Sequence, residues 1–239
     1  MVDLAGAASV YWWSGGLAMP SKGKAMAEIQ GAESRYHAAQ RSLQDRFDTR
    51  RLADRLAETT RAIIGPEHRA FIERRDMFFL AAADSEGRPE CSYKGGEPGF
   101  VRVLDETTLA FPSYDGNGMY LSAGNVLANP QVGLLFVDFE VGTRLRLNGV
   151  ASTHPEDPLV ATYPGAQFVV RVRAQQVFAN CRRYVHQYRL VRRSAFVPSA
   201  AQEPPVPDWK RDEWFAGTLP ADDPAHDPDR PSAPSIPEF

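Results

Sequence analysis

The chain has 239 residues, of which 43% are hydrophobic and 24% charged. That balance excludes wholesale disorder and supports one substantial domain with additions or two small ones. A net charge of -3 creates no overall field toward nucleic acid or an anionic membrane, so any bound anion must be held by a local arrangement. Cys91 and Cys181 are too few for a disulfide framework. With no convincing export signal, two reduced thiols predict a cytoplasmic protein, and the charge predicts neither a nucleic-acid nor a membrane partner.

Residues 1–26 read as a disordered extension. Asp3 stands where a secretory signal wants a base, and Gly15-Gly16 interrupts the apolar run. Residues 27–75 are expected to form helices that pack on the strand-rich body following them. Within 33–60, Leu43, Phe47, Leu52 and Leu56 recur near a helical turn. Asp48-Thr49 divides this stretch in two, with Asp48 as the expected cap of the second helix. A short helix then runs from Pro66, which suits a first helical position, to about Arg74.

The pattern changes at MFFLAAAD (77–84), a continuous apolar run that predicts a buried strand ended by a Ser-Glu-Gly-Arg-Pro turn. A second strand starts near Glu90. FVRVLD (100–105) and TTLAFPSY (107–114) form an expected hairpin, and QVGLLFVDF (131–139) is another buried strand. RLRLNGVAS (144–152) and FVVRVRA (168–174) alternate as half-exposed strands should. With a single internal helix near 119–128, these elements predict a mainly β protein with flanking helices (α+β), built on a six-stranded, nearly closed barrel over 76–197. Residues 198–239 turn rich in Pro, Asp and Ala and read as a tail whose last dozen residues are disordered. Trp209, Trp214 and Phe215 mark 208–217 as an aromatic docking segment, onto the body or onto a partner subunit.

Two stretches carry candidate chemistry. In SYDGNGMYLSAGNVLANP (113–130), Asn117 and Gly118 lie in a Gly-rich turn that leads into a helix. A helix start offers free N–H groups and a partial positive charge, and Ser122 and Asn125 add neutral donors suited to a phosphate ester. The same turn is also an ordinary structural device. In ECSYKGGEPGFVRV (90–103), Lys94 sits at a strand end beside two glycines, where backbone can approach a flat ligand. A solvent-facing lysine before a loop is the plainer reading.

Taken together, MFFLAAADSEGRPECSYKGG, TTLAFPSYDGNGMYLSAGNVLANPQVGLLFVDF and RLRLNGVA resemble the pyridoxamine 5'-phosphate oxidase-like, FMN-binding split-barrel family. The strands, the Gly-x-Pro turn and the helix ending in Asn129-Pro130 follow in the family's order over roughly 66–175. The resemblance implies a six-stranded split barrel, a homodimer with FMN at the subunit interface, and oxidoreductase activity on a small organic substrate. Carried over by position, it nominates Ser92, Tyr93, Lys94, Asn117, Gly118, Ser122 and Asn125 for the cofactor. It also places Arg183 and Tyr184 on the substrate side, and it nominates no catalytic side chain. Tyr120-Leu121-Ser122 replaces the Ser-Arg-Lys run of authentic oxidases, so the resemblance is to a different bacterial branch of the superfamily. A non-catalytic flavin-binding or sensing protein, or an enzyme using deazaflavin or haem in the same barrel, are the alternatives.

Arg144 and Arg146 share a strand face and can reach an acidic ligand or simply line an ion-paired surface. The five histidines are scattered, and no spacing suggests a metal site.

Overall fold

The structure, a computed structural model, describes residues 35–201 and 203–233. The predicted extension at 1–26 lies outside them. The chain divides into two compact units, one ending at Thr59 and one beginning at Thr60.

In the first unit, α1 (Ala38–Arg46) starts with a capping box. The His37 ring accepts from the Gln40 amide, and the Gln40 side chain accepts from the His37 amide. α2 (Arg50–Ala57) follows a tight turn, and Arg41 ties the pair by binding Asp54 at 2.7 Å. Asp48 is not the cap of α2. It adopts a left-handed φ of 49° in the turn, its carboxylate pairs with Arg51, and Thr49 is the N-cap without a side-chain bond. Aspartate tolerates that backbone region better than most residues, so the turn takes Asp48 before the cap can.

The second unit begins with α3 (Pro66–Glu73), whose first residue is the expected proline. Its strands are β1 (Met77–Ala83), β2 (Pro89–Gly95), β3 (Arg102–Val103), β4 (Thr108–Tyr114), β5 (Gln131–Asp138), β6 (Thr143–His154) and β7 (Ala166–Ala179). α4 (Leu121–Ala128) lies between β4 and β5. All pairings are antiparallel, in the order β2-β1-β5-β6-β7-β4-β3. The fold is a split barrel whose strands number seven, one more than expected, and whose edges β2 and β3 do not meet.

β3 is only two residues long because its flanks are held by other contacts. Asp105 accepts from the Thr107 amide and hydroxyl, which closes the hairpin early. Phe100 and Val101 go into the core instead of the ladder. β7 is longer than its alternation implies. A bulge at Asn148/Gly149 keeps β6 in register to Leu145↔Ala179, and the Asn148 amide donates to Gln176 at 3.0 Å.

The core gathers around Phe78, whose ring lies 4.9 Å from Phe111, 5.2 Å from Phe136 and 5.9 Å from Phe100. Leu80, Leu109, Leu134, Leu147, Val172 and Val177 complete it. Val126 anchors α4 to this cluster, so the helix lies against β1, β2 and β6.

The tail is ordered beyond the expected limit. Val206 bridges Ser232, Ala233 is buried, and Arg211 binds the carbonyls of Asp227 and Arg230 and the Ser232 hydroxyl. The predicted disorder is therefore wrong for 228–233, because one guanidinium satisfies three acceptors there; 234–239 lie outside the described residues. Phe215 meets Trp209 and Trp214 edge-on, with ring centroids 4.9 and 4.6 Å apart. Trp214 is 80% exposed, whereas Lys210 is buried, along with Val206, Asp223 and Ala233.

Candidate functional site

β2 reverses the usual alternation of a barrel strand. Paired residues on neighbouring strands share a face. Phe78, Leu80 and Ala82, the inward residues of β1, stand opposite Lys94, Ser92 and Glu90. One strand away from the hydrophobic core, the inward face has become polar. α4 covers that face, and its first turn supplies the partner.

Ser122, 8% exposed, is the hub. Its hydroxyl donates to Glu90 Oε2 at 3.0 Å. With that proton assigned, Ser92 Oγ donates to it at 2.9 Å and Lys94 Nζ at 3.3 Å. The Ser122 oxygen thereby uses its one proton and both lone pairs. Burial pushes the Lys94 ammonium below the ordinary lysine pKa, and the Glu90 carboxylate opposes that shift.

The loop before α4 is held at both ends. Tyr120 adopts a left-handed φ of 48°, its hydroxyl donates to Gln167 at 3.1 Å, and its ring lies 6.3 Å from Phe168. Gly118 takes a φ of 75°, which a side chain would resist. The Asn117 side chain accepts from the Met119 amide, folding the loop on itself. No side chain caps α4, and the amides of Leu121, Ser122 and Ala123 have no acceptor within the helix.

Of the residues nominated from sequence, Ser92, Lys94 and Ser122 are brought together, and Asn117 and Gly118 shape the approach to them. Asn125 lies one turn further along α4, half-buried. Tyr93 projects from the opposite face of β2, where it is 62% exposed and meets Phe79 edge-on. Arg183 and Tyr184 follow β7 on an exposed segment, and no hydrogen bond joins them to the cluster. Arg183 donates to Cys181 Sγ at 3.2 Å, and Tyr184 takes a left-handed φ of 67°. Arg144 is half-buried and Arg146 exposed. The buried Arg144 Nε and Asn180 Oδ1 have no hydrogen-bond partner, and they adjoin where this segment leaves β7. Glu90 is the member that residue-by-residue reading overlooked, although Glu90, Ser92 and Lys94 at alternate positions already place three polar groups on one face.

Residues 64–200 match the sequence family described as pyridoxamine 5'-phosphate oxidase. The chain belongs to that family. The matched span contains the whole barrel, α3, α4 and the Glu90–Ser92–Lys94–Ser122 cluster, and it ends at residue 200, just inside the tail. No curated protein matches the chain. Among solved structures, the chain is similar to HupZ of Group A Streptococcus, at 17% identity and a TM-score of 0.42, over 53% of this chain and 99% of that one. It is also similar to a putative pyridoxamine 5'-phosphate oxidase of Lactobacillus delbrueckii, at 23% identity and TM-score 0.41, over 49% of this chain and 95% of that one. A third likeness is to HutZ, the heme storage protein of Vibrio cholerae, at 21% identity and TM-score 0.37, over 48% of this chain and 93% of that one. No helix among the described residues is long and apolar enough to cross a membrane.

Proposed function

We propose that this member of the pyridoxamine 5'-phosphate oxidase family binds FMN beside the start of α4 and is an oxidoreductase acting on a small organic substrate. The observation that carries the reading is Lys94, a half-buried cation joined to the Ser122 hydroxyl where a Gly-rich loop enters a helix whose first amides are free. The donor set fits such a cofactor at one end only. Lys94 and the first-turn amides suit a ligand rich in acceptor atoms and carrying negative charge. The Glu90 carboxylate, 3.0 Å from Ser122 Oγ, bars a phosphate dianion from the serine oxygen itself.

When bound, the flavin would supply the hydride chemistry. The protein's part is to orient it, keep water from one face and hold a positive charge at Lys Nζ. Two copies of the chain, with the cofactor between them, complete the proposal, and Arg183 and Tyr184 are then the groups nearest to a substrate from the exposed β7 segment. A cytoplasmic location accords with both cysteines being free and exposed.

The test is to purify the protein, record its absorbance and identify the released small molecule by mass spectrometry. A yellow protein releasing FMN, bleached anaerobically by a nicotinamide donor, is expected. A colourless protein that leaves the fluorescence of added FMN unchanged refutes the flavin, and a released deazaflavin or haem replaces it. Bound FMN that no donor reduces would leave a binding protein and remove the enzyme.

A further inference from the structure

We propose that Lys210 is a positioning residue for the α4 site. It stands on the C-terminal segment beyond the span matched by the family, which ends at residue 200. The Lys210 side chain is 4% exposed, with Nζ 2.6 Å from Asp115 and 2.7 Å from Asp223. Asp115 is the first residue after β4 and opens the loop that runs through Gly116, Asn117 and Gly118 into α4.

The two carboxylates do different work. Asp223 is 5% exposed and belongs to the same tail, so its pair with Lys210 holds the segment's own fold. The Val206–Ser232 bridge and the three bonds of Arg211 close that segment into a ring of chain around them. Asp115 is 54% exposed and belongs to the barrel, so its bond is the one that fastens the tail to the loop. Tyr120 holds the far end of the loop through Gln167 and Phe168. Between those two anchors lie two glycines, whose backbone would otherwise sample many conformations. A loop fastened at both ends presents the α4 amides and Ser122 without a ligand having to order it first. Burying an ammonium is costly unless it is fully paired, and here the second partner comes from the loop and not from the tail.

The effect on cofactor affinity rests on the FMN reading above; the fastening of the loop does not. The full-length Asp115→Ala variant separates them, because it removes the loop's acceptor and leaves Lys210 and Asp223 paired. Tyr120 and Leu121 are 51% and 56% exposed, which makes the loop end a site for chymotrypsin, while Tyr184, at 92%, serves as an internal reference. Cleavage after Tyr120 follows how often the loop opens. In Asp115→Ala it should accelerate about tenfold, to approach the rate after Tyr184, and the FMN dissociation constant should rise severalfold because the ordered, binding-competent fraction of the loop becomes small. Lys210→Met should accelerate the same cleavage and also expose the tail. Unchanged cleavage after Tyr120 in a folded Asp115→Ala protein overturns the fastening. Faster cleavage with unaltered FMN affinity overturns the positioning role. If the wild-type protein takes up no FMN, the flavin reading falls and the proteolysis still decides whether Lys210 holds the loop.

Discussion

Glu90 is the residue whose replacement says most about the site. Its carboxylate and the Lys94 ammonium face each other across the Ser122 hydroxyl, at contacts of 3.0 and 3.3 Å, which places the charges roughly 5 Å apart. At an effective dielectric of about 20 their attraction is about 3 kcal/mol. Both groups are half-buried, and solvent reduces the usable part to about 1 kcal/mol. In Glu90→Gln the amide oxygen still accepts from Ser122, so the fold is retained while the cluster changes from neutral to singly positive. An anionic flavin phosphate near the α4 amides then loses a repulsion of comparable size, and its affinity should rise about fivefold to tenfold. The pH dependence gives a second readout. Binding an anion beside Lys94 requires its protonated form, so affinity falls as pH rises through the Lys94 pKa, which burial already holds below the ordinary lysine value. Because Glu90 props that value up, Glu90→Gln must move the loss of affinity to lower pH. Quenching of flavin fluorescence, titrated between about pH 6 and pH 10, measures both effects. Weaker binding at neutral pH, or a pH edge that stays in place, would show that the ligand does not face this cluster.

Two further predictions test the barrel that carries the site. A Cβ at Gly149 would lie 2.3 Å from the Arg173 carbonyl oxygen, whereas one at Gly116 would meet nothing within 4 Å; Gly149→Ala should therefore cost about 2–3 kcal/mol in urea unfolding and Gly116→Ala less than about 0.5 kcal/mol, and equal costs would refute the close approach at the bulge. Arg171 binds the buried Asp157 at 2.5 and 3.0 Å, and that bond above all holds the carboxyl below its usual pKa. Arg171→Met should cost about 2–4 kcal/mol near neutrality by leaving Asp157 unpaired. A depressed carboxylate pKa contributes stability above the unfolded value of about 3.9 that is lost as pH falls through the folded value, so the gap between variant and wild type should close in acid; a gap of the same size at about pH 3 in thermal unfolding would exclude the charge pairing.

Local patterns were the legible part of this chain. The run Met77–Ala83 is apolar throughout in an interior strand, β1, that pairs on both sides, and Pro66 starts α3 because its missing N–H costs nothing there. Ser92, Lys94 and Ser122 could be nominated because each sits beside a turn or a helix start. The two-residue β3 was harder to foresee, since an Asp105 side chain and the burial of Phe100 decide it against the pull of a good strand sequence. Residues 228–233 looked disordered by composition, yet Arg211 and the backbone of Val206 bond to them from 19 or more positions away in sequence.

The two residues that most alter the view of the site escaped for different physical reasons. Glu90 was accessible to a period-two reading, but a strand of a barrel is expected to turn its apolar residues inward. Here the inward face meets the polar start of α4, so the expected pattern inverts at the edge strand and hides the cluster in plain sequence. Lys210 left no local mark at all. Its partner Asp115 is 95 positions away, and the neighbouring tryptophans are the conspicuous residues of the segment while the lysine is the buried one. Both cases follow from the same fact about charge. A polar group enters an interior only where its partners are already assembled, and for Lys210 that assembly exists only after the tail has returned to the loop. The part of the site that depends on such a return is therefore the part that a change in the tail can alter without touching the barrel.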